Sequence, residues 1–185
     1  MTAVADGIAR RRFPNYVLDP VMVATSGERL LERDAERLIA RHLVPLATLV
    51  TPNLGEAAIL VEDEVGNPEQ MARAARALLK LGARAALVTG GHLAGDEIVD
   101  VLVADDSIRR FAHPRLDTTS THGTGCTLSA AVAAGLAHGR PLPQAVADAL
   151  DFVQRAIAAA PGLGRGRGPL NHFVPAPPRP PTEGL

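Results

Sequence analysis

Tryptophan is absent from the 185-residue chain, tyrosine occurs once, and aromatic residues make up 3%. Base-stacking platforms for single-stranded nucleic acid are therefore not expected. An excess of charge of either sign is also missing: 19 Lys and Arg stand against 20 Asp and Glu, for a formal net charge of −1. That balance offers no broad basic field to nucleic acid or an anionic membrane. A single cysteine excludes an intramolecular disulfide framework and suits a reducing compartment, so a cytoplasmic location is expected. No apolar run approaches the roughly 20 residues of a membrane-spanning helix. The start, MTAVADGIARRRFPNY, has basic residues but not the apolar stretch of a signal peptide. Hydrophobic residues, by contrast, reach 46%, enough to bury the core of one domain of ordinary size.

Short apolar runs alternate with helical patterns. Tyr16 to Leu18 predicts a buried strand that ends at Asp19-Pro20, and Thr48 to Thr51 a second that is stopped by Pro52. Ala85 to Thr89 predicts a third, broken by Gly90-Gly91. Between them, Asp34 is placed to cap a helix with Leu38, Ile39 and Leu43 on one face, and a brief helix spans 54–60. Asn67, Pro68 and Gln70 predict an N-cap, a first helical residue and a capping box for a helix whose stripe is Met71, Ala74, Ala75, Leu78 and Leu79, ended by Gly82. Ile98 to Val103 and Ile108 to Ala112 predict a hairpin around residues 104–107. A small-residue helix follows Gly123-Thr124-Gly125-Cys126, suited to close packing on a sheet, and a last helix spans 143–160. The tail, PAPPRPPTEGL, is predicted to stay disordered. Strands alternating with helices imply an α/β fold with a mainly parallel sheet.

Three stretches could carry chemistry. The first is Gly123-Thr124-Gly125-Cys126 at a helix start. Glycines permit a tight turn and close ligand approach, and the helix aims N–H groups and the positive end of its dipole at the turn, which suits a phosphate. A plain glycine turn ahead of a packed helix has the same pattern, and no Gly-Lys-Ser/Thr follows as in a P-loop. Cys126 sits where a helix N-terminus favours thiolate, as a base or nucleophile, or else is a small buried hydrophobe. The second is Thr51-Pro52-Asn53 with Glu56. These could form a capping box, or place Asn53 and Glu56 at the carboxyl edge of the sheet beside a hydrated Mg²⁺, with Asp19 as a further acid at a strand end. The third is Thr89-Gly90-Gly91-His92, where Thr89 could bond a phosphate or simply end a strand. His92 is placed on a loop, and the six histidines show no metal-site spacing.

With these segments in order, the chain resembles the hydroxymethylpyrimidine/phosphomethylpyrimidine kinases of thiamine biosynthesis, in the ribokinase superfamily. The resemblance rests on LDPVMVATSGERLL (18–31), TPNLGEAAIL (51–60), LVTGGHLAGDEIVDVL (87–102), STHGTGCTLSAAVAAGLAHG (120–139) and GLGRGRGPLNHF (162–173). It implies a ribokinase-like three-layer α/β/α sandwich over residues 1–174, with 175–185 as a disordered Pro-rich tail. It also implies that an amino-terminal third, which in the family carries a glycine-rich pyrimidine-binding segment, has no counterpart here. The implied activity is ATP- and Mg²⁺-dependent phosphorylation of 4-amino-5-hydroxymethyl-2-methylpyrimidine and then of its monophosphate, with a homodimer as the common assembly. By resemblance, Gly123, Thr124 and Gly125 form the anion hole over the transferred phosphoryl group and Cys126 takes the place of the catalytic base. Asn53, Thr89, Gly91, Thr121, Gly123 and Gly125 fall at nucleotide-binding positions, and Asp19 and Glu56 at the Mg²⁺ site. Thr89 stands where many members carry Lys, and arginines replace histidines in GRGRGP. Two other outcomes follow from the same motifs: a pyridoxal kinase-like activity, since related enzymes share the GTGC turn, or an inactive nucleotide-binding remnant.

Overall fold

The computed structural model describes residues 2–23, 28–91, 93–163 and 165–178. The chain divides into two compact units, Met1–Arg115 and Leu116–Leu185. No helix among the described residues is long and apolar enough to cross a membrane.

The first unit holds a mixed five-stranded sheet in sequential order: β1 (Val17–Leu18), β2 (Leu49–Val50), β3 (Ala85–Val88), β4 (Glu97–Ala104) and β5 (Ser107–Pro114). β1 to β3 run parallel, with Val17 opposite Leu49 and Val50 opposite Ala86; β4 and β5 are antiparallel additions. The predicted hairpin is present and longer than expected, with Asp105 at φ 50 in its turn. Parallel neighbours need crossovers, and helices supply them. α2 (Arg33–Leu38) links β1 to β2, and α3 (Leu54–Val61) and α4 (Pro68–Lys80) link β2 to β3. All three parallel strands therefore present their carboxyl ends, Asp19, Thr51 and Thr89, at one edge.

α4 follows its sequence closely. The Asn67 side chain accepts from the Gln70 N–H, Pro68 opens the helix, and Gly82 follows it at φ 110. Met71 and Leu78 are fully buried where α4 packs on β3 and β4. Each contributes about 1.5–3 kcal/mol of burial. The capping box is only half made, because the Gln70 carbonyl accepts from Gly66 N–H (2.7 Å) instead of from Asn67.

Two local expectations are corrected around α2. Glu32, with extended φ/ψ, is the N-cap; Asp34 lies in the first turn and pairs with Arg37 at 3.4 Å. α2 then widens into a π turn (Ile39–Leu43) and tightens into a 3₁₀ turn (Val44–Leu46). The change of pitch rotates the buried face, so Ile39, Leu43 and Val44 are buried and Leu38 is exposed. The sequence pattern also overlooked α1 (Thr2–Arg11), a short helix with Gly7 at its middle, held by Ala5 against the turns after α2.

The second unit holds α5 (Thr124–Ala137) and α6 (Leu142–Ala158). α5 was expected to use its small residues against a sheet. Within its unit its close partner is α6: a Cβ built on Gly135 would lie 3.0 Å from the Ala145 Cβ. At the start of the tail, Arg155 donates to the Pro175 carbonyl (2.7 Å) and Arg140 to that of Pro178. Residues 179–185 lie outside the described residues, as does His92.

Candidate functional site

In the first unit the strand ends are laced together. Thr51 donates to the Leu18 carbonyl through its N–H (2.9 Å) and its hydroxyl (3.3 Å), and Thr89 N–H donates to Pro52 O (2.9 Å). Asn53 bridges Thr89 in parallel. Asp19, Asn53, Glu56, Thr89 and Gly91 thus gather at the carboxyl edge, where α/β folds take ligands.

The capping box at α3 is complete and does more than cap. Asn53 Oδ1 accepts from Glu56 N–H, and Glu56 Oε2 accepts from Asn53 N–H, both at 3.0 Å. Glu56 Oε1 reaches 34 residues back to the Met22 N–H at 3.3 Å. The buried carboxylate therefore ties α3 to the loop after β1. The alternatives of structural cap and site residue are not exclusive: with Oδ1 engaged, the Asn53 NH₂ is left to donate elsewhere. Burial raises the Glu56 carboxyl above its ordinary range, the N–H groups of Asn53 and Met22 oppose that, and the Asp19 charge pushes it further up.

Thr89 carries no hydroxyl hydrogen bond among the described residues and is half-buried. The turn after it is held by groups the sequence reading did not single out. Asp100, buried in β4, accepts from the Gly90 N–H at 2.8 Å and faces His113 Nδ1 at 3.7 Å. Burial raises its carboxyl, against the Gly90 N–H and His113. Arg115 donates to the Gly91 carbonyl at 3.0 Å and to those of Leu93 and Gly95. Gly90 is obligatory, because a Cβ there would sit 2.0 Å from Val99 O. An acid inside the otherwise apolar run VDVLV was the available signal for Asp100.

In the second unit, Gly123 caps α5 at φ 84, a conformation that favours glycine. The two-glycine expectation is corrected here, since Gly125 lies inside the helix as its second residue and needs no special φ. Thr124 Oγ1 donates to Thr121 O (2.6 Å), and Thr127 Oγ1 to Gly123 O (2.8 Å). Cys126 is the third residue of α5 and is exposed, which excludes the buried-hydrophobe alternative. The first-turn N–H groups have no carbonyl of α5 itself to bond and carry the positive end of the helix dipole. Thr121, Gly123, Thr124, Gly125 and Cys126 therefore form one turn with the chemistry of an anion cradle.

A cation at the sheet edge would find few protein donors. Among the described residues no group of three or more His, Cys, Asp or Glu could hold a metal. Asp19 and Glu56 instead form a like-charged pair, a donor set that fits a cation arriving with phosphate oxygens and waters.

The family model described as phosphomethylpyrimidine kinase matches residues 1–171. The chain is 49% identical over 176 residues to the hydroxymethylpyrimidine/phosphomethylpyrimidine kinase of Rhizobium meliloti, covering 94% of this chain and 66% of that protein. It is 44% identical to the thiamine biosynthesis bifunctional protein ThiED of Geobacter sulfurreducens, covering 95% of this chain and 36% of that one. The ADP complex of Bacillus subtilis pyridoxal kinase superposes with a TM-score of 0.86 at 36% identity, covering 92% of this chain and 65% of that structure. The chain thus spans less than two thirds of the length of these relatives.

Proposed function

Because the chain belongs to the phosphomethylpyrimidine kinase family, we propose that it transfers the γ-phosphoryl group of ATP to 4-amino-5-hydroxymethyl-2-methylpyrimidine and then to its monophosphate, in thiamine biosynthesis. Its fold class is ribokinase-like α/β. The observation that carries the reading is the Gly123 turn, where a left-handed glycine opens α5 and leaves Cys126 exposed in the first turn.

Phosphoryl transfer depends more on positioning and charge stabilisation than on covalent chemistry. The first-turn N–H groups of α5 stabilise charge on the transferred group. Cys126 takes the proton that the hydroxymethyl oxygen loses as it attacks. Thr121, the Asn53 NH₂, the Thr89 hydroxyl and the Gly91 backbone bind nucleotide phosphates. Asp19 and Glu56 would hold a Mg²⁺ ion, which would supply charge neutralisation at the nucleotide phosphates. Thr89 supplies no positive charge of its own, so affinity for ATP rests more heavily on that cation. The single cysteine supports a cytoplasmic location.

The likeness to a pyridoxal kinase structure favours a second reading, in which the hydroxymethyl group of pyridoxal is the acceptor. ATP-dependent turnover of the hydroxymethylpyrimidine, its monophosphate and pyridoxal, measured side by side, separates them. A higher kcat/KM for the two pyrimidines is expected. A preference for pyridoxal would replace the first reading with the second. ATP binding without transfer to any acceptor would leave a nucleotide-binding remnant.

A further inference from the structure

We propose that His172 is a positioning residue for phosphoryl transfer, acting through Thr127 and the Gly123 carbonyl to set the direction of the Thr124 N–H. The inference deepens the kinase reading and rests on it.

The argument begins with the single hydroxyl hydrogen of Thr127. That hydrogen is committed to Gly123 O at 2.8 Å. His172 Nε2 lies 3.0 Å from the same Thr127 oxygen. An oxygen whose only hydrogen is in use can only accept, so Nε2 carries a hydrogen and donates. Gly123 O also receives the Thr127 backbone N–H at 2.9 Å. The carbonyl is therefore held by two donors from one residue, and that residue is held by His172.

A peptide group is planar and trans, so its C=O and N–H point in opposite directions. The Gly123 carbonyl points along α5 toward Thr127, and the N–H across the same peptide bond, that of Thr124, points out of the helix start. This is the first amide of the proposed anion cradle. At Gly123, with φ 84, the chain has no Cβ to restrict it. The hydrogen bonds therefore restrain this peptide plane more than local sterics do.

His172 reaches this position because the segment carrying it is anchored on both sides. His122 N–H donates to Gly168 O at 3.2 Å, and His122 bridges Pro169. A Cβ on Gly168 would lie 2.7 Å from Ser120 Oγ, so this segment passes the turn at closest approach. Leu170 is buried, and Asn171 N–H donates to Ala156 O at the end of α6 (3.0 Å). The imidazole itself is exposed, so its removal costs little burial and acts on geometry.

The test compares His172→Leu, which cannot donate, with His172→Gln, whose side-chain NH₂ can. Each is read by kcat, KM for ATP, melting temperature and the ¹⁵N–¹H resonance of Thr124. In His172→Leu, kcat is expected to fall about 10- to 100-fold, the scale of a small misplacement of catalytic groups. KM for ATP and the melting temperature should change little, and the Thr124 amide should shift. His172→Gln is expected to restore both kcat and the amide shift. Equal losses in the two variants, or an unchanged kcat in His172→Leu, would overturn the proposal. If the unsubstituted protein transfers no phosphate, the kinase reading fails and the Thr124 resonance decides this inference: a shift in His172→Leu reversed in His172→Gln supports it, and no shift refutes it.

Discussion

Replacing Cys126 by Ala should separate the two phosphorylations. The residue is exposed in the first turn of α5, so its truncation leaves no cavity. The stability change should stay within about 0.5 kcal/mol, as for surface positions generally. The chemical effect is larger. A hydroxymethyl oxygen must lose a proton as it attacks, and a positioned base contributes roughly 10²- to 10⁴-fold to such a step. At 1.36 kcal/mol per tenfold in rate, this is about 2.7–5.4 kcal/mol of barrier. The second acceptor is a phosphate monoester with a second pKa of about 6, so at neutral pH it already offers a deprotonated oxygen. The second step should therefore slow by less than about tenfold. ADP release coupled to NADH oxidation, with each acceptor supplied separately at saturation, gives both rates. Equal losses in the two steps would refute the assignment of Cys126 as base, and unchanged rates in both would do the same.

Gly90→Ala forces a Cβ to 2.0 Å from the Val99 carbonyl, so the β3–β4 pairing must shift; urea unfolding should report a loss of roughly 1–3 kcal/mol or more. Asn53→Ala removes the acceptor of the Glu56 N–H, and about 1 kcal/mol should be lost in the same assay. The Glu56 carboxyl is raised, chiefly by burial, so a cation must displace its proton at acidic pH. Mg²⁺ affinity measured by calorimetry in the presence of ADP should rise as pH passes upward through that raised value, and Glu56→Gln should flatten the dependence. Asp100 is raised in the folded protein, again chiefly by burial, so the folded state binds more protons than the unfolded one between the two pKa values. Its contribution to stability is intact below the unfolded value and is lost as pH climbs through the folded value. Asp100→Asn keeps an acceptor for Gly90 N–H and should be at least as stable as the unsubstituted protein at pH 7, with a flatter stability profile on the acid side.

Features set by neighbouring residues could be read directly from the chain. The Asn67-Pro68 start and Gly82 end of α4, the hairpin at 104–107 and the Asn53–Glu56 box depend on caps, turns and short spacing, and the structure has all of them. Helix boundaries with weaker local chemistry were read less well. Asp is a favoured N-cap residue and Glu is not, so the sequence points to Asp34, whereas the extended φ/ψ at Glu32, with no side-chain cap bond, places the start two residues earlier. The π turn after α2 leaves no mark in a 3.6-residue pattern, which is why Leu38 was assigned to the wrong face. Most of the candidate site was legible because strand ends and a glycine turn announce themselves. Glu56 was legible as a cap partner, whereas its bond to Met22 spans 34 residues and has no local signature.

The support of both candidate sites consists of contacts of that second kind. Asp100 and Arg115 fix the turn after Thr89 from 10 and 24 residues away, and His172 reaches Thr127 across 45. A glycine turn keeps a defined geometry only if something outside it supplies the restraint that a side chain would otherwise give. The strand edge solves this with a buried carboxylate under Gly90, and the α5 turn solves it with a histidine on a returning segment. The two solutions imply different sensitivities. The buried acid carries a desolvation penalty, so the Thr89 turn should respond to pH through Asp100. The imidazole is exposed and acts through one hydrogen bond to Thr127, so the Gly123 turn should respond to substitution of His172. Amide hydrogen exchange of Gly90, corrected for intrinsic rates, should show a protection factor that changes as pH climbs through the raised Asp100 value, and Asp100→Asn should remove that change. A pH-independent Gly90 protection factor in the unsubstituted protein would contradict this role for Asp100.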